Sequence, residues 1–496
     1  MSDQQDNHNA QREFHCGTLT GVPFKLMLQA CCILWISSIC TSLSHAADWP
    51  TYQHDNRRSG VTPDQLTLPL QKIWERPSDA PPRPAWARPA KWDAYAEVKG
   101  LKAMRNYDHA FYTIAVGDAI WFGSSVDDAV HCIDANTGHE RWVFFTEGAV
   151  RVAPTWSGDK IYFGSDDGFA YCVQADTGNL IWKYQPAEND RLIPNNGKLI
   201  SSWPCRTGVL VQADKAYFGA SLLPWQESWL CAVNAETGKI AGSGTFKQSV
   251  TKMTLEAPML ASATDLYVMQ GRSFPGLFEI TEGSFQRVSG SGRQGGGIYG
   301  YLTEEADFFS GLGSLRGALV LHNRTADEQL VIFEGADRVL VADQVAFLHS
   351  DDEISAVAHP QFFALHRRST ALNAQSGVLK TELAKKMKAE MTSNTKREIE
   401  ILQSKIQDTQ NRIQQIAPLI KKSVRWRVPF TEVHSFVLAG DILLAGGDNT
   451  VVAIDTANGQ TRWNANIEGK ALGLTVANAR LFVSTDLGTI YCFATN

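Results

Sequence analysis

Arg151, Arg206 and Glu256 stand thirteen residues ahead of Gly164, Gly219 and Met269, at one and the same point of successive similar stretches of chain. Two guanidiniums and a carboxylate gathered at a common mouth would hold an anionic or peptide-like ligand through forked hydrogen bonds. The same count elsewhere reaches Ala110, Val433 and Ala471, so the polar trio is local. Asp127, Asp128, Asp166, Asp167 and Arg272 belong to loops beside it, and Arg272 completes the candidate ligand set. The plainer reading is a polar, water-filled channel in which Glu256 pairs with an arginine. Neither reading is a catalytic constellation, and catalytic residues remain unassigned. No metal set is assigned, since no paired histidines have ligand spacing and the Asp and Asn near 165–168 and 447–449 serve turns rather than calcium. Gly295-Gly296-Gly297 lacks the Lys-Ser/Thr that a phosphate loop needs.

The elements that must position these residues repeat about every forty positions. Asp134-Ala135-Asn136-Thr137-Gly138 aligns with 174–178, 234–238 and 455–459, and Trp142, Trp182 and Trp463 each follow the glycine by four residues. Gly242 takes that place in the third copy. Alternating segments such as Phe169-Ala170-Tyr171-Cys172-Val173 precede the turns, so each unit reads as four short antiparallel strands closed by tight hairpins. That period predicts an all-β propeller of eight blades, with seven as the alternative count. A tryptophan on each outer strand would fill the gap to the next blade. Burying one indole removes about 150–250 Å² from water, roughly 4–6 kcal/mol as an upper estimate. The expected blades cover about 108–146, 150–186, 205–247, 255–289, 297–334, 336–428 and 432–468, and a last one ends at Phe493. An N-terminal segment, 47–107, carries a lone strand near 70–76 that would complete the last blade and hide the free sheet edges.

Between 359 and 424 the period changes from two to three and a half. Ile399, Leu402, Ile406, Thr409, Ile413, Ile416 and Ile420 form an a/d seam, and Leu372, Leu379, Leu383 and Met387 offer a facing stripe. The reading is a coiled-coil helical hairpin inserted in the sixth blade, with propeller again over 108–358 and 425–496. Thr395 with Glu398 fits a capping box, and Pro418 should kink or end the second helix. This insertion carries net charge +7, and it reads as a solvated hairpin or a partner-docking arm.

The whole chain has 496 residues and net charge −6. Without 1–46 and the insertion, the remainder is at −12, which argues against nucleic acid as a partner. Residues 1–46 have a polar start, the apolar core Cys31-Cys32-Ile33-Leu34-Trp35-Ile36 and small residues at Ser44 and Ala46. They predict a signal peptide or a retained signal anchor, hence export to the periplasm or cell envelope of a bacterium, with membrane contact only through a retained anchor. The five cysteines that remain include Cys132, Cys172 and Cys492 at equivalent repeat positions, and they read as small buried residues.

The repeat Ala-x-Asp-Ala-x-Thr-Gly-x-x-x-Trp and the stretch Asp48-Trp49-Pro50-Thr51-Tyr52 through Gly60 resemble the quinoprotein-type, PQQ-binding-like propeller repeat, and look closest to planctomycete-type bacterial members. The resemblance covers nearly all of the chain after 46 and is specific for fold. It implies two kinds of relative: dehydrogenases that bind pyrroloquinoline quinone (PQQ) and Ca²⁺, and BamB-type assembly factors that bind protein partners and no quinone. The vicinal cysteines common in PQQ alcohol dehydrogenases would have to be Cys31-Cys32, inside the expected signal, and neither calcium ligands nor a catalytic Asp align. The resulting expectation is a noncatalytic envelope scaffold with protein partners and a small anionic or peptide ligand. Its rival is a PQQ-dependent alcohol or sugar oxidoreductase, with PQQ and Ca²⁺ as cofactors only in that case.

Overall fold

The computed structural model describes residues 47–86, 107–223, 225–270, 275–281, 284–289, 298–305, 307–311, 319–323 and 328–495. Residues 1–46 and Arg272 lie outside them. Six antiparallel sheets of four strands follow one another, spanning 113–145, 155–184, 210–250, 260–289, 299–333 and 336–358 with 424–429. An eight-stranded sheet supplies two more blades, because the long strand Thr461–Ala477 is the outer strand of the seventh and the inner strand of the eighth. The chain is therefore an eight-bladed β-propeller. Gln71–Arg76 pairs with Ile490–Ala494 as the outer strand of blade 8, so both ends of the propeller meet in one sheet.

Burial follows from this stacking. Ala119–Ser124, a second strand, is buried at every position because neighbouring blades cover both its faces. The outermost strand of blade 6, Val424–Pro429, alternates half-buried and exposed residues. The blades are locked by indoles. Trp142 donates its Nε1–H to Ala175 O at 3.0 Å, Trp182 to Ala235 O at 2.8 Å, Trp74 to Ala135 O at 3.0 Å and Trp426 to Thr456 O at 2.8 Å. Each indole lies on the Thr-Gly or Asn-Gly turn glycine of the next blade. A Cβ at Gly178 would stand 2.6 Å from the Trp142 ring, and Gly178 has φ +72°. Trp463 completes the circuit on Leu70 O at 2.8 Å, where the incoming outer strand begins.

Two junctions differ. In blade 3 the pairing Ala232↔Phe246 corresponds to Cys132↔Trp142, so Phe246 occupies the indole position and Gly242 does not. The residues between turn and strand are more numerous there, which shifts the sequence spacing. In blade 5, Leu321↔Val331 puts a valine at that position. Phe362 and Phe363, from the first turn of the insertion, pack with Val331 and Phe333 in its stead.

The insertion is a pair of helices, α1 (Gln361–Met387) and α2 (Ser393–Lys422), between the third and fourth strands of blade 6. Leu372 faces the seam of Leu402, Ile406, Thr409 and Ile416, all buried. Met387 is 59% exposed and lies outside the seam. The cap of α2 is Thr392, whose Oγ1 accepts from Thr395 N at 3.1 Å, three residues before the expected one. Glu398 pairs instead with Lys386 at 2.6 Å. Pro418 does not end α2, which runs on to Lys422. Gln414, whose carbonyl loses its donor there, is exposed and open to water.

Segment 47–62 crosses one end of the inner strands. Trp49 bridges Ala115, Pro50 O accepts Trp156 N, Asn56 O accepts Ala261 N, Arg57 O accepts Leu302 N and Gly60 O accepts Leu438 N. Those partners belong to blades 1, 2, 4, 5 and 7. Buried Arg58 knots the segment by donating to Met259 O, Tyr52 O and Asp55 O at 2.9, 2.9 and 3.1 Å. Gly178→Ala should destabilise the protein by about 2 kcal/mol or more through the clash and the positive φ. Gly117→Ala, with positive φ but nothing within 4 Å of its Cβ, isolates the strain component. Denaturant unfolding of the two variants reads the difference, and equal losses would refute the indole lock.

Candidate functional site

Arg151, Arg206 and Glu256 each lie four residues before an inner strand, those of blades 2, 3 and 4, at the end of the channel opposite segment 47–62. All three are buried, at 6%, 1% and 0% exposure. The residue that joins the two arginines is Asp166, from the loop between the second and third strands of blade 2. Its Oδ2 receives Arg151 Nε at 2.6 Å and Arg206 Nη2 at 2.9 Å, and its Oδ1 receives Arg206 Nε at 2.7 Å. Arg151 Nη1 donates to Asp108 Oδ2 at 2.8 Å and to the backbone carbonyl of Arg83 at 2.6 Å. Glu256, for which an arginine partner was the plainer expectation, accepts the Trp86 indole N–H at 3.3 Å.

Burial alone would raise the Asp166 pKa, but the charges of Arg206 and Arg151 override it and hold the carboxyl below its ordinary value. Burial works against the charge of Arg206 as well, and Asp166 reverses that effect, so the guanidinium is held more firmly protonated. Tyr107, beside this group, has its pKa pushed well above the usual phenol range by burial and then by Glu256. Arg206 Nη1, Tyr107 OH, Asp108 Oδ1 and Ser202 Oγ are buried atoms with no hydrogen-bond partner among the described residues. The cluster thus pairs most of its charge internally and keeps a few polar atoms in reserve.

The other loop acids go elsewhere. Asp127 lies 2.9 Å from His131 Nε2, and Glu140 lies 2.8 Å from its Nδ1. Asp128 takes the Lys198 ammonium. Asp167 accepts the Tyr171 hydroxyl at 2.7 Å, and burial raises its pKa. Asp108, Tyr107 and the Arg83–Trp86 stretch escaped the sequence reading. Asp108 had a usable signal, since it lies two residues before Ala110, the in-phase position of blade 1. Cys132, Cys172, Cys205, Cys231 and Cys492 are free and buried. Among the described residues, Glu432, His434 and Asp448 form the one group of potential metal ligands, with ligand atoms within 4.8 Å of one another. Two of the three are exposed, and His434 is already hydrogen-bonded to Asp448 at 2.7 Å.

Among the described residues, no nucleophile with an adjacent base stands at this mouth. Its arginines bind the backbone carbonyl of Arg83 and the carboxylates of Asp166 and Asp108. The fold defines a quinoprotein-type eight-bladed propeller repeat protein with a polar, arginine-bearing mouth. The chain belongs to the family described as outer membrane protein assembly factor BamB, whose model matches residues 72–284 and 412–496. Among solved structures, quinohemoprotein alcohol dehydrogenase from Comamonas testosteroni is similar, with TM-score 0.54, 11% identity, and coverage of 90% of this chain and 81% of that one. Another quinohemoprotein alcohol dehydrogenase, from Pseudomonas putida HK5, gives TM-score 0.55, 10% identity and coverage of 90% and 80%. A europium-containing methanol dehydrogenase gives TM-score 0.51, 10% identity and coverage of 90% and 98%. At such identities the likeness is one of fold. No curated protein matches the sequence.

Asp166→Asn should destabilise the protein by about 3 kcal/mol, because it leaves two buried guanidiniums without their shared charge. The contribution of Asp166 is fully present above the unfolded carboxyl value of about 3.9 and is lost as pH falls through the lower folded value. Thermal melts from pH 7 down to pH 2 should therefore bring variant and native protein together in acid. A gap that stays constant with pH would contradict the assignment.

Proposed function

We propose that this chain is an exported, noncatalytic propeller scaffold that binds protein partners in the cell envelope through the face around Arg151, Arg206 and Glu256. The observation that carries the reading is the chemistry of that mouth, where buried arginines engage a peptide carbonyl and carboxylates. Membership in a family described as an outer membrane protein assembly factor supports the envelope setting. Loops on the same face expose apolar side chains that a protein partner would cover, with Trp225 at 78%, Leu199 at 61% and Leu192 at 55% exposure. Residues 1–46 are read as the export signal or anchor, and the +7 hairpin as a second contact. No helix of the described residues is long and apolar enough to cross a membrane.

The rival reading needs room and ligands for PQQ and Ca²⁺, and two observations among the described residues favour the scaffold over it. Both guanidiniums at the mouth are engaged by Asp166, and Arg83–Trp86 lies on them. Deeper in the channel, the space lined by Tyr52, Tyr112, Tyr299, Tyr301 and Arg338 has a volume of about 80 Å³. Pockets that hold a small organic cofactor run to roughly 300 Å³ or more. Calorimetric and absorbance titration with PQQ and Ca²⁺ should give no saturable binding and no dye-linked alcohol or sugar oxidation. Stoichiometric quinone binding accompanied by oxidation would overturn the scaffold reading.

A further inference from the structure

We propose that the mouth at Arg151 and Arg206 is a recognition site for an extended, proline-rich peptide bearing a tryptophan, and that the chain's own Pro81-Pro82-Arg83-Pro84-Ala85-Trp86 occupies it as a ligand in cis. This rests on the reading of that face as a protein contact.

The segment is bound as a peptide ligand is bound, backbone first. Arg83 N donates to Ser125 Oγ at 2.9 Å, and Arg83 O accepts Arg151 Nη1 at 2.6 Å. Pro84 O accepts Asn196 Nδ2 at 2.6 Å, and Ala85 N donates to Asp108 Oδ2 at 2.7 Å. These receptor groups come from blades 1 and 2 and from the short hairpin Leu192–Asn195/Lys198–Ser201, so parts far apart in sequence converge on three consecutive residues. Ala85 is 1% exposed, which admits only a small side chain there. Trp86 then anchors the end, its ring 5.9 Å from the Arg206 guanidinium carbon and its N–H on Glu256 Oε1. Prolines hold such a segment extended before it binds, so little entropy is lost on docking. Unlike Gln71–Arg76, which pairs as a blade strand, residues 81–86 belong to no sheet. Removing them would leave every blade complete.

A tethered ligand acts at an effective concentration of about 1 mM, so a free peptide of micromolar affinity is displaced roughly a thousandfold. The exchange partner is therefore a segment of the same chemistry on another protein, and the receptor face becomes available when the cis segment lifts.

The test uses a fluorescently labelled peptide of residues 79–86 with an amidated end. Ala85→Pro with Trp86→Ser in the full chain removes the amide that Asp108 receives and the indole. This variant should bind the peptide at least about a hundredfold more tightly than the native protein. A peptide with Trp86→Ala should bind neither. A variant that melts like the native protein yet ignores the peptide would overturn the proposal. Should the variant not fold, hydrogen exchange on the native protein decides. The Ala85 amide should exchange at least about a hundredfold faster than that of Ile161, in the blade, through local opening. Equal protection of the two would overturn the proposal. Failure of these tests while a protein still cross-links to the Trp225 face would remove the cis ligand and leave the scaffold reading standing.

Discussion

An indole laid on a glycine is the contact from which the rest of the propeller follows. The glycine must take positive φ to make the turn and must lack a Cβ to let the ring approach, and the ring must donate its N–H to a carbonyl of the same turn. Trp74, Trp142, Trp182 and Trp426 meet all three conditions at four junctions between blades. The contact is local to two neighbouring blades, as stability in repeat proteins generally is, so one junction can change without collapse of the others. That freedom appears between blades 5 and 6. There the indole position holds Val331, and the first turn of α1 brings Phe362 and Phe363 into the gap. The hairpin is rooted where the ordinary lock is missing, and its aromatic base is the replacement.

With the blades locked, the inner strands begin in phase, and loops from four blades are forced to share one mouth. Charges placed there lose water and must find partners. Asp166 resolves that requirement for both arginines at once, Asp108 serves Arg151 and the Ala85 amide together, and Glu256 meets an indole. The other end is closed differently, by backbone pairing of segment 47–62 with the inner strands of blades 1, 2, 4, 5 and 7. The two ends therefore differ in kind. One is sewn into the sheets, whereas the other is covered by residues 81–86, whose backbone is held by side chains of the mouth rather than by strand pairing.

Much of this is legible in the sequence alone, because period and turn chemistry are written in adjacent residues. The Thr-Gly turns with their following tryptophans gave the blade number, and Trp74 revealed the closing strand. The shared phase of Arg151, Arg206 and Glu256 corresponds to one position in the fold, four residues ahead of three inner strands. What could not be read was pairing. Asp166 was visible as a loop acid, but Asp127, Asp128 and Asp167 looked the same in sequence. Only the loop's conformation sends one of them to the arginines and another to His131. Counting also fails where a loop changes length, which is why Phe246 and not Gly242 is the indole's counterpart. Thr392 and Thr395 are both competent caps, and the helix starts at the earlier one.

The scaffold claim is met most directly by site-specific photocross-linking in intact envelopes, with a photoreactive residue at Trp225 on the arginine-bearing face or at Ile240 beyond the Thr-Gly turn on the opposite side. Both positions are exposed, at 78% and 44%, so access does not bias the comparison. The expected result is a discrete protein adduct from position 225 that is absent from position 240. Adducts from position 240 alone, or none from either, would contradict the placement of the partner at the mouth.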